Sequence, residues 1–541
     1  MGLGVQSGYP NATAQERVNC YLESLTDAEK TRVVCLGMPG LKLFTNSLGD
    51  TPVRGMYQFG EYLYISHKQN VYRCDNAGSL LKIGEIGTTS GRVGISCNST
   101  QLCVVDGTTS GYVYNIADDA VVSISVASPT VITDTAHGLP EGAAIRFSTT
   151  GTLPTGISAN TTYYVKNVAT DSYNIASTRG GTAINVTAGG AGIHTRTTYL
   201  AAITAAGFPG GVSIDFLDGY LIVNRPDSQS YFISGLYDAL SWSALDFASA
   251  ESNPDNLLRV FVDHSQLMLL GKYTTEMHAD SGAQQFPFVR NGFAIDWGIV
   301  GPWSIARLDN SVAFLARKRM GEVQVVMYTG GTPRRISTHD IERILNSYPY
   351  IDSATAFSFT LDGHPMYVIN VAERTFMYDL ASDCWSSLKG WNLNRYRGEI
   401  GEPFGNKTVI ADYENGNLYY LDRDTHTDND EPQVMSITGK HLFNSIDRLT
   451  VNEINIDMSM GVGTVSGQGE NPQIGMSYSK DGGNSWSNVR FAGMGKIGKY
   501  GNLVRFGQLG QCRDLVVKLE ISDPVKRCIN AVYADIEADN D

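Results

Sequence analysis

Hydrophobic and polar positions alternate in short runs along most of this chain, and Asp, Asn, Ser and Gly clusters bound the runs. Residues 257–262 (LLRVFV) form an apolar run, Asp263-His264-Ser265 a turn, and 266–271 the returning strand. Residues 274–277 add a third strand, ended by Asp280-Ser281-Gly282. Short apolar runs between turn-forming clusters predict hairpins. The pattern recurs at 53–81, 102–114, 219–231, 311–328, 366–378 and 408–420, several times with Trp soon after, as in YDLASDCW with Trp385. Helical periodicity is scarce. It is predicted at 337–345, where Ser337 and Asp340 fit a capping pattern and Ile341, Ile344 and Leu345 form a stripe, and at 25–34. Repeated four-stranded units without intervening helices favour an all-β fold with a β-propeller-like core over a sandwich. A closed ring of such units also protects its edge strands.

Three stretches depart from this rhythm. Residues 1–50 read as an extended arm carrying Pro10, Asn11, Asn19 and Tyr21, with Met38-Pro39-Gly40-Leu41 as a turn. Residues 126–198 are rich in Thr, Ala and Gly and poor in charge. They alternate like a small inserted barrel with turns at Gly138, Gly142 and Gly151. A flexible linker is the alternative, but Tyr163, Tyr164, Val165 and Tyr173 are strand formers. The last hundred residues form another β unit. There SYSKDGGNSWS sets Ser479, Asp481, Gly483 and Trp486 at the S-x-D-x-G-x-x-W spacing of an Asp-box. In that motif the carboxylate holds the N–H groups of a hairpin turn and Trp packs beneath, so its meaning is structural. The expected organisation is an N-terminal arm with first propeller strands at 1–125, the inserted module at 126–198, the main propeller body at 199–435 and a C-terminal β unit at 436–541.

Composition narrows the class. With 541 residues, 42% hydrophobic and 18% charged, the chain is globular and long enough for several domains. No run approaches the roughly 18 apolar residues of a membrane span. The N-terminus lacks the basic and apolar regions of a secretory signal. The net charge of −14 argues against gripping a nucleic-acid backbone, although such a chain could surround DNA without adhering to it. The eight Cys form no CxxC and the nine His no HxxxH, which predicts neither a zinc site nor a disulfide framework.

Candidate chemistry is thin. A sialidase would need an Arg triad, a Tyr nucleophile with its Glu, and a segment like FRIP; the nearest string, Asn224-Arg225-Pro226, lies in the wrong place. The loop LDRDTHTDNDEP gathers Asp422, Asp424, Asp428, Asp430 and Glu431. It lacks the glycine of a calcium loop and reads as a solvated acidic loop. Arg317, Lys318 and Arg319, with Arg334 and Arg335, could face DNA, but read first as a solvated face. No catalytic residue, cofactor or metal is predicted.

Several separate segments carry a family resemblance. SWSALDFASAE, FPFVR and RRISTHDIERIL are similar to segments of the packaged-DNA stabilisation proteins, the tail hub or nozzle of short-tailed (podovirus-type) phages. VNCYLE, GMPGLKLF and PVRGMY resemble that family's opening, and SKDGGNSWS and FGQLGQCRDLVVKLEISDPV its ending. AHGL, TGTLPTGI and TYYV resemble a small β module inserted in phage tail proteins. Cys20 and Leu22 depart from the family's aliphatic and Pro residues, which touches only the local geometry of the arm. The resemblance implies a virion tail protein, assembled in the host bacterial cytoplasm as a homohexamer. It would dock below the head-to-tail adaptor ring, contact tailspikes or fibres and a tail needle or plug, and pass double-stranded DNA without binding it specifically. A lectin-like, receptor-binding propeller adhesin is the alternative.

Overall fold

The computed structural model describes residues 13–25, 31–251, 254–284, 286–292, 294–445 and 447–538. They fall into two compact units. One comprises residues 51–299; the other joins residues up to 50 with those from 300 onward. The described residues up to 50 therefore belong with the C-terminal half, and the expected 1–125 segment is divided between the units.

The 51–299 unit is a series of four-stranded antiparallel sheets. Val53–Phe59, Tyr62–His67, Asn70–Cys74 and Leu80–Glu85 form the first. Gly94–Cys97, Gln101–Val105, Gly111–Asn115 and Ala201–Ala202 form the second. Ile214–Leu217, Tyr220–Asn224, Ser230–Gly235 and Asp238–Ser249 form the third; Leu257–Asp263, Gln266–Gly271, Thr275–Asp280 and Phe288–Arg290 form the fourth. Central strands such as Leu102 to Val105 and Leu267 to Leu270 are buried at every position. That is how a strand covered on both faces reads, as a continuous apolar run. Tyr64, Val71 and Ile83 of the first sheet pack on Ile95, Leu102 and Val104 of the second. Cys103 and Val113 of the second pack on Leu221, Val223 and Trp242 of the third. Ile222 and Ile233 of the third pack on Val260 and Leu269 of the fourth. Sheets stacked face to face in chain order are propeller blades. The turn between Asp263 and Gln266 works because His264 and Ser265 both take positive φ, 45° and 58°, the backbone a two-residue hairpin turn requires.

Between the third and fourth strands of the second sheet the chain makes a closed barrel. Its strands are Ala120–Ile124, Ile132–Thr133, Ala144–Thr149, Tyr163–Ala169, Ser172–Ala176 and His194–Thr198. It has its own core of Ile132, Ile145, Phe147, Val165, Tyr173 and Ile175. Its first strand begins ahead of residue 126. First and last strands pair, Ala120 with Arg196 and Val122 with His194, so the chain enters and leaves side by side.

The other unit holds further sheets of the same kind. Ala306–Leu308, Ser311–Arg317, Gln324–Tyr328 and Arg334–Arg335 belong to one; Thr355–Leu361, His364–Val371, Arg374–Asp379 and Cys384–Leu388 to the next. Gly398–Phe404, Lys407–Asp412 and Leu418–Asp422 begin another; the N-terminal strand Gly40–Thr45 pairs with Leu418–Asp422, and Thr427–Asp428 and Glu431–Pro432 follow it. The short helix His339–Leu345 lies where predicted and buries Ile341 and Leu345. Its cap is Thr338, whose hydroxyl accepts from the Ile341 N–H at 3.4 Å. Ser337 instead donates to Glu342.

The chain ends in a β-sandwich. Met435–Thr438, Asp514–Ile521, Gln473–Ser479 and Arg490–Gly493 make one sheet. Leu449–Met458, Val504–Cys512 and Cys528–Ala538 make the other, extended by Cys20–Ser24 and Val33–Gly37. Leu449, Val451, Ile454, Met476, Leu515 and Leu519 fill the space between.

The N-terminal segment is not the expected arm. Glu16–Val18 runs parallel to Cys384–Leu388 and antiparallel to Met435–Thr438, so it joins a blade to the sandwich in one continuous sheet. Asn19 and Tyr21 are buried. The expected helix at 25–34 is replaced, in its described part, by the ends of a hairpin in which Glu23 pairs with Val34 and Ser24 with Val33. Cross-strand pairing and the bond network of Cys528–Ala538 outweigh a weak local helical pattern. Residues 26–30, like Pro10 and Asn11, lie outside the described residues.

Candidate functional site

The sequence singled out Ser479, Asp481, Gly483 and Trp486, and the structure places the first three in one turn. The Asp481 carboxylate accepts from the backbone N–H of Asn484 at 3.1 Å and of Ser485 at 2.8 Å. The hydroxyls of Ser479 and Ser485 also donate to it, each at 2.6 Å. The Ser479 oxygen accepts from Gly483 N–H at 2.8 Å, and Gly483 sits at φ 94° where a side chain would be strained. These donors, the two serine hydroxyls first, pull the Asp481 pKa down to about 2. Trp486 behaves differently from the expectation: it is 39% exposed. The sandwich core is formed by other side chains, Ile474, Met476 and Leu519 among them, and the indole lies outside it.

The acidic loop is not uniformly solvated. Asp428 is almost fully buried. Its carboxylate accepts from the Leu41 N–H at 3.3 Å and the Gln433 amide at 3.0 Å. Burial raises its pKa to about 7, despite the nearby Arg527. Arg527, itself lowered to about 10 by burial, donates to the carbonyls of Gln433 at 2.6 Å and Met38 at 2.9 Å. Loss of hydration shifts both groups towards neutrality and outweighs their mutual attraction. His426 beside them is lowered to about 4, by burial and then by Arg527. The cluster clasps Gly40–Thr45 to the sandwich. Arg527, distant in sequence, carried no signal of this role.

His364 makes a second such clasp. Its ring nitrogens meet Asp379 and Glu23, each at 2.9 Å, and Tyr21 packs edge-on at 5.1 Å. Burial alone would lower its pKa; the hydrogen bonds to Glu23 and Asp379 outweigh that and raise it. The basic residues are likewise engaged. Arg335 donates through Nε and Nη2 to the two carboxylate oxygens of Glu342, each at 2.6 Å, and Arg334 reaches Tyr378 at 3.1 Å and Asp383 at 3.6 Å. In the 51–299 unit a cavity of about 530 Å³ opens beside the barrel, lined by Gln101, Asn115, Asp134, Arg196 and Tyr237. Its buried ion pair, Arg196 with Asp134 at 2.9 Å, is completed by Tyr173 and the Asp118 carbonyl. Among the described residues no group of three or more His, Cys, Asp or Glu is arranged to hold a metal.

Stacked blades and a sandwich, tied strand to strand by polar clusters, define an all-β protein built on propeller blades. The comparisons agree. The family model described as Bacteriophage P22 Gp10, beta-propeller, matches residues 141–426, and its companion, Bacteriophage P22 Gp10, beta-sandwich, matches residues 435–537. The first alone spans more than half of the chain, and the chain belongs to the P22 Gp10 family. A curated relative, the tail hub protein gp10 of Salmonella phage P22, is 26% identical over 232 residues, 40% of this chain and 48% of that protein. The chain thus aligns to about half the length of that relative. Two solved structures are far more distant in sequence. A computationally designed protein, Ika8, gives a TM-score of 0.32 at 8% identity over 71% of this chain and 100% of its own. A chain in the S. cerevisiae Dbp5–Nup159–Gle1 complex gives 0.36 at 9% identity over 74% and 98%. Likeness at this level carries no argument.

Proposed function

We propose that this chain is a structural subunit of a short-tailed phage tail, the hub that continues the DNA channel below the head-to-tail adaptor ring. In this reading six copies surround the axis, hold the packaged genome in, and become its conduit at ejection. Tailspikes or fibres and a needle or plug attach to the hub, and assembly takes place in the host cytoplasm. The chain would perform no catalysis. The observation that carries the reading is the family match across both propeller and sandwich, in a chain whose buried charges serve to fasten its own strands. The net charge of −14 suits a wall past which DNA must slide, because few phosphate contacts form and few counterions are released. The adhesin alternative has no comparable support. The test is to make particles without this protein and follow their DNA. Heads should fill and then leak, and purified protein added before leakage should restore infectivity. Heads that keep their DNA and fail only at attachment would refute the reading.

A further inference from the structure

We infer that copies of this chain join head to tail through the two opposite edges of the C-terminal sandwich, one edge apolar and basic, the other apolar and acidic. The inference rests on the proposed ring of copies and names the surface that builds it.

Exposed large hydrophobic side chains crowd this sandwich, in two groups. Val489 and Phe491, the latter 66% exposed, lie at the strand Arg490–Gly493. They cover Gly475, whose added Cβ would stand 2.8 Å from Val489 and 3.3 Å from Phe491. Tyr500 and Leu503 follow, exposed, in the connection to Val504–Cys512. The second group is Val532, Tyr533 and Ile536 on Cys528–Ala538.

Both groups sit at sheet edges. Arg490–Gly493 is the terminal strand of its sheet, paired only with Gln473–Ser479 among the described residues. Cys528–Ala538 pairs along its length with Leu449–Met458, but its other side meets Val33–Gly37 only at Cys528 and Ile529. From residue 530 onward the described residues leave that side open. In this second sheet Val504–Cys512 is the opposite edge, and Arg490–Gly493 lies against it. The two groups therefore occupy opposite sides of the sandwich.

The second edge has the form of a strand awaiting a neighbour. Val532 pairs with Ile456 and Ile536 with Val451, both core residues, so their side chains face the core side of the sheet. Yet they are 46% and 49% exposed. A backbone edge left open by the described residues, with apolar side chains exposed on it, is a template for pairing with another chain.

Charge selects the occupant. In the sequence Lys480, Arg490 and Lys499 stand around the first group and outnumber the acid among them, Asp481; Asp535 and Glu537 stand around the second. A two-fold contact of either edge with itself would bring like charges together. Contact of one edge with the other brings opposite charges together, and repetition of such a contact builds a ring when the rotation closes.

The test uses the full chain in sedimentation velocity over a range of concentration and salt. The parent should associate, and less so at high salt. Val489→Asp with Phe491→Asp spoils one edge; Val532→Asp with Ile536→Asp spoils the other. Each variant should keep the parental circular dichroism and stay monomeric alone. Mixed, they should form dimers and nothing larger, because each retains one intact edge. Association of both variants at parental strength overturns the assigned edges and leaves the ring reading standing. A parent that is monomeric throughout overturns both. Should either variant misfold, charge reversal replaces it: Lys499→Glu and Glu537→Lys should each weaken association up to about five-fold, the scale of exposed ion pairs. Mixing or combining them should restore it; equal weakening by the combination would overturn the assignment.

Discussion

Asp428 carries a carboxyl that this fold holds closer to neutral than water would. Its pKa is raised to about 7 by burial, above the ordinary value of an unfolded Asp. Such a group favours the folded state below the unfolded pKa, and that advantage is lost as pH rises through the folded one. Thermal unfolding followed from pH 5 to pH 8 should show falling stability. Asp428→Asn should flatten that dependence and raise stability at pH 8 by an amount on the order of 1–3 kcal/mol; an unchanged profile would contradict the account. The Asp481 carboxylate, depressed to about 2, has the opposite sign: its contribution is present above the ordinary carboxyl range and lost as pH falls towards 2. Asp481→Ala should lower the melting temperature at neutral pH, since four donors lose their acceptor. Trp486→Ala should cost no more than about 0.5 kcal/mol, as for an ordinary surface position. The spacing S-x-D-x-G-x-x-W was legible because it describes local hydrogen bonds within one turn. The place of Trp486 was not, because it depends on which side chains already fill the sandwich. Asp428 was legible as an acid but not as a buried one, because the groups it meets in the fold, Leu41 and Arg527, are absent from the local sequence.

At the scale of elements, strands and turns could be read almost to the residue where pairing is local. The hairpin at 257–271 is the example: its strands are Leu257–Asp263 and Gln266–Gly271. Pairings between distant parts of the chain were invisible. The segment Glu16–Val18 finds its partners near residues 387 and 437, so its short polar surroundings read as an arm. Asn19 shows what this costs to undo. Its side chain donates to the carbonyls of Lys389 at 2.8 Å and Val434 at 2.9 Å and accepts from the Lys389 N–H at 2.9 Å. Asn19→Ala should destabilise by roughly 2–4 kcal/mol in urea unfolding, for buried groups left unpaired; a loss near zero would mean the N-terminal strand does not fasten the unit. The barrel should behave in the reverse way. Its paired first and last strands bring the chain back to where it left, and its core is its own. Replacing residues 120–197 by a short linker should leave a folded protein with an intact second sheet. Circular dichroism and protease resistance of the remainder decide this, and a chain that no longer folds would show that the barrel is part of the propeller.

For the molecule as a whole, propeller blades and a sandwich are joined by N-terminal strands, and the polar clusters that sequence reading could suspect of chemistry serve as fasteners. Membership of the P22 Gp10 family fits that architecture. The central claim is that the chain acts by position, as part of a tail around the path of DNA. The most direct measurement is a cryo-electron microscopic reconstruction of virions carrying this protein, with symmetry imposed only after it is found. The account predicts a ring of copies on the tail axis, directly below the adaptor ring, with the sandwich of each copy against that of its neighbour. Density for this chain only at peripheral receptor-binding positions, or none in the particle, would contradict it.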